Sequence, residues 1–361
     1  MYQLNEKLIK LSPYDPIEGN FKIRLDANES PYNLPDYLKN AIAEKITQLD
    51  INRYPDPMAK NAVDAFAKYY NINPDCVTAG NGSDELIGII ENCFLQKGDK
   101  ILSLSNDFSM YRFYAQLSEL ENVVLQKEED LSINVGKIIS ACNADEAIKA
   151  VIFSNPCNPT SLGITADEVK KLIESVNCLV IADEAYMDFW NESILDCVEN
   201  YDNLIILKTC SKAIGAAGIR LGFAIAGKTI TNALHAAKSP YNTDSISQLI
   251  GTVLFEEQKW LKSANAQITE NTEVLYKSIC EICTKTNNTV LKAPQKPCTN
   301  FVFIESDYCN EIFDKLYKKS IAIRNFGTYL RICSGTKTEN EALISALNKI
   351  CLEIYSAGGA D

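Results

Sequence analysis

The chain holds one histidine, His235, among 361 residues. That scarcity rules out zinc sites built on several histidines and leaves little room for a histidine-based nucleophile triad. Acid–base work must fall to other side chains. Basic residues are also outnumbered: 35 Lys and Arg stand against 47 Asp and Glu, a net charge of −12. A chain of that sign is not expected to take nucleic acid or an anionic membrane as its main partner, because both reward basic patches. A few local arginines are still enough for a small anion. No stretch approaches the ~18 apolar residues that a membrane helix needs. Residues 1–10 carry Glu6, Lys7 and Lys10 where a targeting segment has an apolar run. The thirteen cysteines are odd in number and scattered, which reads as reduced thiols in a cytoplasmic protein. The single Cys-x-x-Cys, Cys280 to Cys283, falls in a stretch that reads as helix and is taken as two ordinary helix-face cysteines.

What is present is a repeated alternation. Short apolar runs at 100–104, 149–154, 178–182, 204–207 and 222–226 read as buried strands, and 61–70, 84–95 and 165–174 read as helices. Such alternation predicts an α/β fold, with a mainly parallel central sheet covered by helices on both faces. After Ser239-Pro240 the pattern changes to a long helical stretch at 245–286, short strands near 300–304 and 329–332, a helix at 310–318 and a closing helix at 339–355. The expected division is an N-terminal arm at 1–48 that joins the smaller domain, a large ligand-binding domain at 49–240 and a small α+β domain at 241–361.

Four places fall where strands of the large domain should end, which is where ligands sit in parallel sheets. Asp183 follows the run 178–182; a carboxylate there either caps the next helix or pairs with a buried cation. Lys212 follows another strand, before the small residues Ala213 to Gly218. Alone it would read as a solvated loop lysine, but a tightly packed loop can half-bury it, and burial favours Schiff-base chemistry. Arg220, with the hydroxyls of Thr209 and Ser211, can hold a phosphate through charge-assisted bonds. Gly80-Asn81-Gly82-Ser83-Asp84-Glu85 leads from a strand into a helix whose N-terminus favours an anion. This is neither a dinucleotide fingerprint, since Glu85 stands where a third glycine is needed, nor a Walker A loop.

Together with Asn155-Pro156-Cys157-Asn158-Pro159-Thr160, Ala182-Asp183-Glu184-Ala185-Tyr186 and Leu330-Arg331-Ile332, these segments resemble the fold-type I pyridoxal-phosphate aminotransferases over nearly the whole chain. Within them the chain is most similar to the histidinol-phosphate aminotransferases and their near relatives.

The resemblance implies pyridoxal 5′-phosphate as cofactor, with Lys212 its covalent anchor and proton shuttle and Asp183 the partner of its pyridine nitrogen. Asn158 and Tyr186 would contact its phenolic oxygen, and Phe108 would stack on its ring where the family commonly has tyrosine. The backbone amides of Ser83 and Asp84, with Thr209, Ser211 and Arg220, would hold its phosphate. Arg331 matches an arginine for the substrate's anionic end, Arg324 a second one for a substrate phosphate, and Tyr14 and Tyr54 substrate-side tyrosines. Tyr54 would come from a neighbouring subunit, which implies a homodimer with composite sites. The implied reaction converts L-histidinol phosphate and 2-oxoglutarate to imidazole acetol phosphate and L-glutamate. An aromatic amino acid aminotransferase and a threonine-phosphate decarboxylase remain as alternatives. Two departures stand out: Ser161 occupies the place of a usual glycine, the next glycine being Gly163, and Asn106-Asp107 replace a common Pro-Thr before the ring-stacking aromatic.

Overall fold

Runs of Val, Ile and Leu that cannot be left in water become the strands of this molecule, and their order in space decides where polar residues at their ends converge. The computed structural model describes residues 2–9, 11, 13 and 16–358. After a short β1 (Ile23–Arg24) come β2 (Val77–Gly80), β3 (Lys100–Leu104), β4 (Glu121–Leu125), β5 (Ile148–Ser154), β6 (Leu179–Asp183), β7 (Leu204–Thr209) and β8 (Gly222–Ala226). The last seven form one sheet in the order β2-β8-β7-β6-β5-β3-β4. β8 is antiparallel to both its neighbours; every other pairing in the sheet is parallel. The expected α/β architecture with a mainly parallel sheet is what forms.

Alternate side chains of these strands feed two cores, as a two-residue period requires. Val151, Phe153, Val180, Leu204 and Ile206 pack on one face with Phe66 of the helix Lys60–Tyr70. Ala150, Ile152, Ile181, Ile205 and Leu207 pack on the other with Leu86, Ile87 and Ile90 of the helix Gly82–Cys93. Covered on both sides, the central strands carry continuous apolar sequence. β4 went unread in the sequence because it is an edge strand, exposed or half-buried along its length.

A third core forms around β9 (Phe301–Glu305), β10 (Ile321–Ala322), β11 (Arg324–Asn325) and β12 (Tyr329–Cys333). β11, β12 and β9 make an antiparallel sheet, while β10 pairs in parallel with β1 and so ties residues near 23 to the C-terminal part of the chain. The helices Gln258–Lys285, Cys309–Tyr317 and Lys337–Gly358 contribute Leu275, Ile279, Ile312, Leu343 and Leu347 to that core.

The long helical stretch after 245 breaks at Glu257, whose ψ of 51° lies outside the helical region. The helix Ser245–Glu256 sends Val253, Leu254 and Phe255 into the core beside Phe66; only the helix after the break reaches the third core. Cys280 is half-buried and Cys283 buried within that second helix. Among the described residues no group of three metal-ligating side chains occurs, and no helix is long and apolar enough to cross a membrane.

Candidate active site

The carboxyl ends of β5, β6 and β7 deliver Asn158, Asp183 and Lys212 to one side of the sheet, as parallel pairing of adjacent strands demands. Asp183 is the last residue of β6 and is 3% exposed. One carboxylate oxygen accepts a 2.8 Å bond from the Tyr111 hydroxyl and the other a 3.1 Å bond from the Ala185 amide. Burial nevertheless pushes its pKa up to about 7, because two neutral donors do not replace lost water. Among the described residues no lysine or arginine forms an ion pair with it. A carboxylate in that state fits a cationic ring nitrogen.

Lys212, half-buried in the turn after β7, donates to the Ala27 carbonyl at 3.0 Å, and its Nζ lies 5.8 Å from the centre of the Tyr186 ring. The Tyr186 hydroxyl accepts a 2.9 Å bond from Asn28 Nδ2. Asn158 Oδ1 accepts from Arg331 Nη1, while Arg331 Nη2 donates to the Asp26 carbonyl at 2.7 Å. Arg331 is 8% exposed and sits over the ring faces of Phe301 and Phe326. The segment 26–28 therefore lies among Lys212, Tyr186 and Arg331, an arrangement for which the sequence offers no period or charge signal.

A second group collects beside them. Arg220 Nη1 donates to Ser211 Oγ at 3.2 Å, and Nη2 pairs with Asp84 at 3.3 Å. Thr209 Oγ1 bonds Ser211 Oγ at 3.0 Å. The helix Gly82–Cys93 begins at this place, and its first amides lack intrahelical partners. Gly222 lets this turn approach: a Cβ there would lie 2.5 Å from the Ser83 amide nitrogen. Gly82, at φ +81°, faces the Arg220 guanidinium in the same way. An exposed arginine, two hydroxyls and a helix N-terminus make a cradle for a phosphate dianion. Carboxylate, lysine and cradle together fit pyridoxal phosphate.

Phe108 caps the helix Ser109–Leu117 and meets Tyr111 edge-on at 5.6 Å. Asp107, part of one of the two departures, is a structural link. It accepts from its neighbour's amide at 2.7 Å and from the Ser154 hydroxyl, and Ser154 Oγ in turn accepts from the Asn158 amide at 3.1 Å. The carboxylate thus links the segment bearing Phe108 to the one bearing Asn158.

Arg324 lies directly opposite Arg331 in the β11–β12 register and borders a cavity of about 440 Å³ with Ile17, Glu18, Phe313 and Tyr317. Tyr54 stands apart from the set: its ring is 80% exposed and stacks on Tyr241 at 4.4 Å. Tyr14 lies outside the described residues. His235 bonds the Val77 carbonyl at 3.3 Å in the helix Lys228–Ala237.

Sequence reading missed Tyr111, Asn28 and a buried charge cluster behind the site. Lys208, 3% exposed on β7, lies 3.5 Å from Glu184 and 3.4 Å from Asp188, with its Nζ over the Tyr70 ring. Burial opposes its charge, but Asp188 and Glu184 outweigh that and hold its pKa above the ordinary value. The available signal was a charged residue inside an apolar strand, Lys208 after Leu204–Leu207.

Comparison with known proteins gives the family and the fold. Residues 21–347 match the family model described as aminotransferase class I and II. A histidinol-phosphate aminotransferase of Clostridium novyi is 39% identical over 93% of this chain and 93% of its own length. One from Clostridium kluyveri is 36% identical over 96% and 97%. The crystal structure of histidinol-phosphate aminotransferase from Sinorhizobium meliloti in complex with pyridoxal-5′-phosphate superposes with a TM-score of 0.85 at 20% identity, covering 98% of each chain. That likeness shows the shared fold.

Proposed function

Because this chain belongs to the class I and II aminotransferase family, we propose that it moves the amino group of L-histidinol phosphate to 2-oxoglutarate, yielding imidazole acetol phosphate and L-glutamate in histidine biosynthesis. The cofactor is pyridoxal 5′-phosphate, which when bound supplies an electron sink for the substrate's Cα–H bond.

The observation that carries the substrate reading is the pair Arg324 and Arg331, opposed across β11 and β12. Two guanidiniums suit a phosphate dianion in one half-reaction and a dicarboxylate in the other. Lys212 Nζ would anchor the cofactor and, once the substrate's amine has displaced it, would be free to take the substrate's Cα proton and pass it to the cofactor's C4′ carbon. Asp183, ionised, holds the ring nitrogen protonated. Tyr186 and Asn158 would orient the phenolic oxygen, Phe108 would stack on the ring, and the backbone amides of Ser83 and Asp84, with Thr209, Ser211 and Arg220, would hold the phosphate.

The working unit is a homodimer in which Tyr54, and Tyr14 beyond the described residues, complete the substrate pocket. In support, Tyr37, Ile51, Tyr54, Met58, Tyr241 and Ile246 are all exposed, and the 54–58 segment is tied to 238–248 through Lys238 and Gln248. A single chain leaves that apolar surface in water. The arm 1–48, large domain 49–240 and small domain 241–361 remain the proposed division, with the helix Ser245–Glu256 packed on the large sheet. All thirteen cysteines are free, as suits a reducing cytoplasm.

The test is to add L-histidinol phosphate to the cofactor-loaded protein without keto acid and follow its visible absorbance. Loss of the band and its return on adding 2-oxoglutarate is the expected result. A band that persists with this donor, yet bleaches with an aromatic amino acid, would overturn the substrate reading and leave the aminotransferase assignment standing.

A further inference from the structure

We infer that Ser161 is a positioning residue whose hydroxyl clasps the Asn158 turn to the strand pair that carries Arg331. Ser161 takes the place of a usual glycine and keeps the backbone glycine would favour, with φ +63°. A serine in the left-handed region is disfavoured unless its surroundings hold it there. This one is 2% exposed and bonded on every side. Its hydroxyl lies at hydrogen-bonding distance from Thr299 Oγ1 and donates to the Phe301 carbonyl at 3.2 Å. Its carbonyl accepts from the Cys298 amide at 2.9 Å, and its own amide donates to the Cys157 carbonyl at 2.8 Å. The glycine this turn does require is Gly163, where a Cβ would come within 2.3 Å of the Trp190 ring.

The clasp closes a loop of contacts. Thr299 and Phe301 lead into β9; β9 pairs with β12, where Phe303 lies opposite Arg331; and Arg331 reaches back to Asn158, three residues before Ser161. The two halves of the pocket are thus joined twice, once through Arg331–Asn158 and once through Ser161–Thr299. When a substrate anion occupies Arg331, the first link must share the guanidinium's donors with it. The second involves no group that binds substrate and keeps the spacing. Glycine at 161 would relieve the backbone but supply only the carbonyl link to Cys298.

The experiment uses Ser161→Gly, Thr299→Val and the double variant. Hydrogen exchange at the Cys298 and Phe301 amides of the cofactor-free protein should speed up by roughly five- to tenfold in each single variant, about the worth of one hydrogen bond, with the β5 and β6 amides unchanged. In the loaded enzyme, KM for amino donor and keto acid should rise by a similar factor while kcat changes less than about twofold, since the spacing serves binding more than the proton transfer. The double variant should resemble either single one. Unchanged exchange and KM in Ser161→Gly would overturn the inference and leave Ser161 a turn residue, as would additive losses in the double variant. Only the kinetic arm rests on Arg331 as the anion-binding residue; the exchange arm is independent of donor identity.

Discussion

The Tyr111 hydroxyl donates a 2.8 Å hydrogen bond to the buried carboxylate of Asp183, across 72 positions of sequence. That bond favours the charged carboxylate, while burial favours the neutral acid and pushes its pKa up to about 7. Tyr111→Phe should therefore raise the pKa further. In the cofactor-free protein we predict a rise of about one pH unit, the scale of one bond to a charged group; in the loaded enzyme the cationic ring nitrogen keeps Asp183 ionised. Carboxyl-carbon NMR titration of the cofactor-free protein checks this. An unchanged Asp183 titration in Tyr111→Phe would mean that Tyr111 acts by packing alone.

Glu91 lies in the helix Gly82–Cys93 at 0% exposure, and neither carboxylate oxygen has a hydrogen-bond partner among the described residues. Burial pushes its pKa up to about 8 from 4.5. The fold thus prefers the neutral acid. The stability this group contributes is complete below about pH 4.5 and is lost as pH rises through about 8. Glu91→Gln cannot ionise and should be more stable than the parent by up to roughly 4 kcal/mol at pH 9, with little difference at pH 5. Urea unfolding at the two pH values measures it.

Arg324→Ala removes one of two opposed arginines. It should weaken kcat/KM for L-histidinol phosphate by 2–3 kcal/mol, roughly 30- to 150-fold, and that for an unphosphorylated amino acid far less. Equal losses on both substrates would count against a phosphate role.

Tyr54→Ala and Lys212→Ala should each be nearly inactive as pure proteins, the second completely. If Tyr54 serves the partner's site, mixed dimers contain one intact site each. Refolding the two variants together should then restore activity to roughly a quarter of wild type. No recovery on mixing would show that Tyr54 works within its own chain or not at all.

The motifs near the strand ends were legible because each combines a strand period with a chemically costly residue at its end. An apolar run closed by Asp183 is hard to explain unless something compensates the carboxylate. Ser161 and Asp107 were visible only as departures; their partners Thr299 and Ser154 were not, because a hydrogen bond between distant segments leaves no local trace. Tyr111 lay in plain view beside Phe108 and gave no sign of pointing at Asp183, since a tyrosine at helical spacing reads as core. The break at Glu257 carries no glycine or proline, so 245–286 read as one stretch.

By itself the sequence determined the strand-and-helix alternation, the lysine, aspartate and arginine that suit the cofactor, and the family. Those features depend on residue type and short-range spacing, which the chain carries in one dimension. Only the tertiary structure decided that Asn28 meets Tyr186, that Arg331 spans to Asn158, that β8 runs against its neighbours and that Lys208 is buried with two carboxylates. Those contacts join residues far apart along the chain. Their partners are chosen by how the sheet and helices pack, and packing is a property of the whole molecule.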